Sequence, residues 1–139
     1  MNKAVIDTDI LSEILKNRDP IVAKKAIEYR REHGRYTLTT INIAEIVKGL
    51  HKLRREDLLQ KFLAGIRGEE ILSLDIEGAV IAGRIFADLE RTGTPIGRAD
   101  PLIAAIALRH DLVVVTGNLA HYEKVRAAGY PLRLENWRA

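Results

Sequence analysis

The chain has 139 residues, 47% hydrophobic and 29% charged, which is enough apolar material for a folded core and enough charge for solubility. It contains no cysteine, and this excludes a disulfide framework, a thiolate zinc site and a cysteine nucleophile. Lys and Arg total 22 against 19 Asp and Glu, a net charge of +3 that suits a polyanionic partner, but an aromatic content of 5% argues against simple coating of nucleic acid by stacking.

The length is that of one ordinary domain, so residues 1–139 are expected to fold as a single unit. No apolar run approaches the roughly 20 residues of a membrane span, and the stretch after Met1 is too short for a signal peptide. The expected location is cytoplasmic, with no membrane partner.

In chain order, residues 3 to 6, apolar from Ala4 onwards, form a short strand ending in Asp7-Thr8-Asp9, and Ile10, Leu11, Ile14 and Leu15 then follow at helical spacing. A second helix is predicted from Ile21 to Glu32, closed at His33-Gly34, and a brief strand from Tyr36 to Thr39. Asn42-Ile43-Ala44-Glu45 reads as a capping box with Asn42 as the cap, opening a helix through Leu50. Further helices are predicted over 58–66 and 76–91, with a strand over 71–74 between them.

Asp100-Pro101 then opens a helix whose next seven residues, Leu102 to Leu108, are all apolar, as expected of a helix buried on most sides. Leu112 to Val115 carries no polar alternation, the mark of an interior parallel strand covered on both faces. A last short strand is predicted near Leu132 to Leu134. Strands alternating with helices imply an α/β fold, a parallel sheet between helical layers, in which ligands sit beyond the carboxyl ends of the strands. Asp7, Asp100, and Thr116 with Asn118 fall at that edge.

Each acid also has a purely structural reading. Asp7 or Asp9 can cap the first helix, Glu45 can complete the capping box, and Asp100 before Pro101 has the form of an N-cap. Convergence is what distinguishes the readings. Two ionised carboxylates about 4 Å apart repel by about 1 to 4 kcal/mol, so three sharing a pocket require a cation. With oxygen ligands alone that cation is expected to be hard, Mg²⁺ or Mn²⁺, held by Asp7, Glu45 and Asp100. Such an ion activates water and neutralises charge on a phosphodiester, the chemistry of many nucleases. Lys48, His51, Lys52 and Arg98, close in sequence to Glu45 or Asp100, are candidate grips on an RNA backbone, or parts of a solvated charged face.

Five segments in order resemble a PIN-domain ribonuclease of the VapC toxin type. They are Val5-Ile6-Asp7-Thr8-Asp9-Ile10-Leu11-Ser12, Thr40-Ile41-Asn42-Ile43-Ala44-Glu45-Ile46 with Gly49, Pro95-Ile96-Gly97-Arg98-Ala99-Asp100-Pro101-Leu102-Ile103-Ala104-Ala105, Val114-Val115-Thr116-Gly117-Asn118, and the ending Leu132-Arg133-Leu134-Glu135-Asn136-Trp137. The resemblance implies a three-layer α/β/α PIN-like domain with a central, mostly parallel sheet of four or five strands. It also implies a metal-dependent endoribonuclease of a toxin-antitoxin pair, restrained by a small antitoxin, commonly homodimeric, and reaching DNA only through the antitoxin. Asp7, Glu45 and Asp100 then take the metal-site roles.

PIN domains often carry a fourth acid just after the later strand, where this chain has Thr116-Gly117-Asn118. Asn118 can still orient a water through its carbonyl and Thr116 can hydrogen-bond a carboxylate, so one well-held metal is expected rather than two. Two alternatives stand beside this reading. The segment Val5 to Asp9 resembles the nucleophile motif of haloacid-dehalogenase-type phosphatases, with Asp7 phosphorylated and Asp9 as the acid, though the matching lysine and late acid pair are missing. The other is a non-catalytic domain whose acidic pocket docks an arginine of a partner helix.

Overall fold

The computed structural model describes residues 1–138. In chain order the elements are β1 (Ala4–Ile6), α1 (Thr8–Lys16), α2 (Pro20–His33), β2 (Thr37–Thr39), α3 (Thr40–Lys52), α4 (Glu56–Gly65), a 3₁₀ turn (Ile66–Gly68), β3 (Glu70–Leu72), α5 (Ile76–Arg91), α6 (Ala99–Arg109), β4 (Val113–Val115), α7 (Leu119–Ala127) and β5 (Leu134–Glu135). The strands form one sheet in the order β3-β2-β1-β4-β5, with every pairing parallel.

Strand pleating divides the core into two layers. Ala4, Ile6, Val113 and Val115 face the layer of α1, α2, α3 and α4, where Ile10, Val22, Tyr29, Ile46 and Phe62 pack with Trp137. Val5 and Val114 face the opposite layer of α5, α6 and α7, against Ile85, Leu89, Ile103, Tyr122 and Val125. Unbroken apolar runs such as Val113–Val115 are thus covered on both sides, as a parallel sheet requires. The α/β/α sandwich anticipated from the sequence is observed, with five strands.

The start of α3 differs from the sequence expectation. Thr39, not Asn42, is the N-cap: its hydroxyl accepts from Asn42 N at 3.1 Å, and Asn42 Oδ1 accepts from Thr39 N at 2.9 Å. Asn42 occupies the position where a capping box usually holds Glu or Gln. Asp100 is likewise not a cap. Arg98 holds the N-cap position of α6 without a side-chain cap hydrogen bond, and Asp100 lies in the helix's first turn. Helix α7 was missed, since its buried contacts are only Tyr122 and Val125 and the periodic signal is correspondingly thin.

Candidate active site

The chain passes β1, β2 and β3 towards one side of the sheet, then returns to place β4 on the other side of β1. The carboxyl ends of β1 and β4 therefore flank a topological switch point. The register pairs Ile6 with Val115, so the residues that follow, Asp7 and Thr116, emerge side by side.

Asp7 is 4% exposed. Its Oδ2 accepts from the Thr116 hydroxyl at 2.8 Å and its Oδ1 from Thr8 N at 2.9 Å, which also makes it the cap of α1. Burial nonetheless raises its pKa from the usual 3.8 to about 7; those two hydrogen bonds oppose the rise, and the charges of Asp100 and Asp9 add to it. A carboxylate that is hydrogen-bonded yet so reluctant to ionise lacks a positive partner.

Asp100, from the first turn of α6, turns towards α7. Its Oδ2 meets His121 Nδ1 at 2.8 Å, and the Tyr122 hydroxyl donates to Oδ1 over a long 3.4 Å. Tyr122 is fully buried, and its pKa lies well above 10, first because of burial and then because of Asp7 and Asp100, with Glu45 a further contributor. All three predicted acids thus act on one hydroxyl.

Glu45 reaches the site through a relay. Thr8 Oγ1 donates to Glu45 Oε1 at 2.6 Å and accepts from Asn42 Nδ2 at 3.0 Å. Asn42, with no exposed surface, therefore joins the α3 cap to the acid. Replacing it with alanine leaves Thr39 N without its partner and frees Thr8; Asn42→Ala is expected to lose about 2 kcal/mol in urea denaturation, with m unchanged.

The three acids do not, as they stand, close on one point: among the described residues no three carboxylate or imidazole groups are grouped to hold a metal ion. Each acid has a hydrogen-bonding partner of its own, Thr116, Thr8 or the α7 pair. The donor set itself fits a hard divalent cation, being all oxygen on the acids, with Asp7 buried and uncompensated.

The remaining predicted residues are placed less centrally. Thr116 supports Asp7 as anticipated, while the Asn118 amide lies 2.9 Å from His121 Nδ1 and touches no acid directly. A carboxylate only accepts, so with Asp100 ionised Nδ1 carries the proton, and Asn118 suits it best with its amide oxygen turned inwards. Lys48, His51 and Lys52 are exposed on α3, and Arg98 is exposed just before Asp100. Asp9, the acid of the phosphatase alternative, has both oxygens engaged by backbone, Ile10 N at 2.8 Å and Gly117 N at 2.9 Å. That leaves it a structural post rather than a free proton donor. His121, Tyr122 and Thr8 went unread in the sequence, although Leu119, Tyr122 and Val125 at intervals of three were a signal for α7.

Comparison with known proteins agrees with this geometry. The PIN domain model matches residues 4–126. The tRNA(fMet)-specific endonuclease VapC of Salmonella typhimurium is 31% identical over 99% of each chain, and Ribonuclease VapC2 of Haemophilus influenzae is 30% identical over the same share. Among solved structures, DNA-bound VapBC from Salmonella typhimurium superposes with a TM-score of 0.81 at 32% identity, covering 99% of both chains. VapBC2 of Rickettsia felis, at 24% identity and a TM-score of 0.80 over 96% of this chain and 98% of that one, shares the fold. A parallel five-stranded sheet with acids at its switch point, matched along its whole length by these relatives, places the chain in the PIN-domain family, among the proteins of the VapC type.

Proposed function

We propose that this chain is an endoribonuclease, the toxin of a toxin-antitoxin pair, that cleaves RNA with Mg²⁺ or Mn²⁺ held by Asp7, Asp100 and Glu45. The observation that carries the reading is the buried Asp7 carboxylate at the switch point, hydrogen-bonded at both oxygens and still raised to about 7 by burial, with the charges of Asp100 and Asp9 adding to the rise. Its relatives named as endonuclease and ribonuclease, and the solved toxin-antitoxin complexes, support the class of reaction and the partner.

A hard divalent cation held by these acids would supply positive charge against the negative charge that builds on a phosphodiester under attack, and would lower the pKa of a bound water. The chain's own residues set the stage for it. Thr116 and the Thr8 amide fix both oxygens of Asp7. His121 orients Asp100, and the Asn42–Thr8 relay holds Glu45 one hydroxyl away, to be released by breaking a single hydrogen bond. Tyr122, kept neutral by its surroundings, gives the pocket floor a donor that does not compete as an anion.

The substrate is RNA, of which transfer RNA is the first to test. The antitoxin is a small protein encoded alongside; the chain is read as a homodimer, with DNA contacts made through the antitoxin alone. No helix among the described residues is long and apolar enough to cross a membrane.

The test is cleavage of an RNA panel by the purified, antitoxin-free chain with Mg²⁺, with Mn²⁺ and with chelator. Metal-dependent products are expected, reduced about a hundredfold or more in Asp100→Asn. Because Asp100 caps no helix, that variant should melt in chelator at or above the wild-type temperature. RNA left intact under both metals would instead assign the acids to a partner's arginine.

A further inference from the structure

We propose that Arg138 is a substrate-positioning residue that grips an RNA phosphate at the rim of the acidic site. The inference rests on the ribonuclease reading and extends it to a residue from outside the acidic set.

Two anchors fix where this side chain sits. β5 adds to the sheet beside β4, pairing Val115 with Glu135, and Trp137 then buries its ring among Tyr29 and the α1–α2 layer, 2% exposed. The next residue is therefore delivered to the carboxyl edge. Its guanidinium lies 3.6 Å from Asp9 Oδ2 and 3.5 Å from Glu13 Oε1, in the space a side chain at Gly117 would take, next to the Thr116 that holds Asp7. A Cβ at Gly117 would meet that guanidinium and come within 2.6 Å of Asp9 Oδ2, so the absence of a side chain there is what lets arginine and aspartate share the spot.

The ion pairs are loose. Neither has hydrogen-bond geometry, each acid offers one oxygen, and the arginine side chain remains 39% exposed. Compare Arg55 on Asp57, where Nε and Nη2 donate at 3.0 and 2.9 Å. Arg138 is thus held near the site with most of its five donors unspent among the described residues. A planar guanidinium with free donors beside a phosphodiester-cleaving centre suits a phosphate, which accepts a two-pronged pair that Asp9, already bound by Gly117 N, does not offer.

The full-length wild type, Arg138→Ala and Arg138→Lys are compared by three measurements: anisotropy of a short labelled single-stranded RNA in chelator across a salt series, KM and kcat for its cleavage with Mn²⁺, and Mn²⁺ titration without RNA. Arg138→Ala is expected to raise KM about tenfold with a smaller change in kcat, and to lessen the slope of log K on log salt by about 0.7, the value for one phosphate contact on a single strand. Arg138→Lys should restore the salt slope and only part of the affinity. Mn²⁺ affinity should stay within about twofold of wild type in both variants. Unchanged KM and salt slope overturn the proposal. So does a shift in Mn²⁺ affinity that accounts for the whole loss, which would make the arginine a counter-ion of the acids. Weakened antitoxin binding with RNA binding intact likewise overturns it, assigning the group to the protein partner. Wild-type chain that binds RNA in an Arg138-dependent way without cutting it removes the nuclease reading and leaves the contact standing.

Discussion

Asp7→Asn is expected to abolish RNA cleavage and, in chelator at pH 8, to make the protein more stable than the wild type. The folded-state pKa of Asp7 is about 7 against an ordinary 3.8, so the group favours the fold while protonated and opposes it once ionised. Its stabilising share is complete below about pH 4, declines as pH rises, and is lost once pH passes 7, a total of about 4 kcal/mol. Asparagine does not titrate, accepts from Thr8 N through its oxygen, and can donate to Thr116 Oγ1. The gap between variant and wild type in urea unfolding should therefore be widest at pH 8 and close steadily towards pH 4. Mn²⁺ at pH 8 should raise the melting temperature of the wild type and leave that of Asp7→Asn nearly unmoved. A variant less stable than wild type at pH 8 would show that the capping role outweighs the buried charge.

Trp137→Ala is expected to cost about 3 to 5 kcal/mol, the range for deleting a large aromatic from a packed interior. The ring is 2% exposed and lies 5.7 Å from that of Tyr29, whose hydroxyl in turn hydrogen-bonds both N and O of Ala4 in β1 at 3.2 Å. The substitution therefore opens a cavity against the central strand. Trp137→Phe should lose much less, because the indole Nε1 is buried without a hydrogen-bond partner among the described residues and its removal relieves a desolvated donor. Chemical denaturation of the two variants separates these effects. A Phe variant as damaged as the Ala variant would mean that ring size alone decides.

The central strands and the identity of two acids were legible because both follow from local chemistry. Val113–Val115 has no polar alternation, and Asp7 and Asp100 each border a recognisable helix start. What sequence could not supply was direction. Asn42 and Thr39 are both good caps three residues apart, and which one takes the role depends on where β2 ends, a matter settled by its pairing with β3. Glu45 is joined to the start of α1 by the Thr8 hydroxyl, which carries no signature of its own in the sequence. His121 and Arg138 were hidden for a different reason. A histidine in a weakly amphipathic helix and an arginine near the end of the chain look like ordinary surface residues until the fold delivers them to Asp100 and Asp9.

The hydrogen bond from Thr116 to Asp7 spans 109 positions, and it joins neighbouring strands whose alignment nothing nearer in sequence can impose. During synthesis, β1 emerges first and must wait for β4 before its acid acquires a neighbour. A site assembled from opposite halves of the polypeptide cannot exist on a half-made chain. Whatever ligand the site takes, it can be held only after translation has moved well past residue 116.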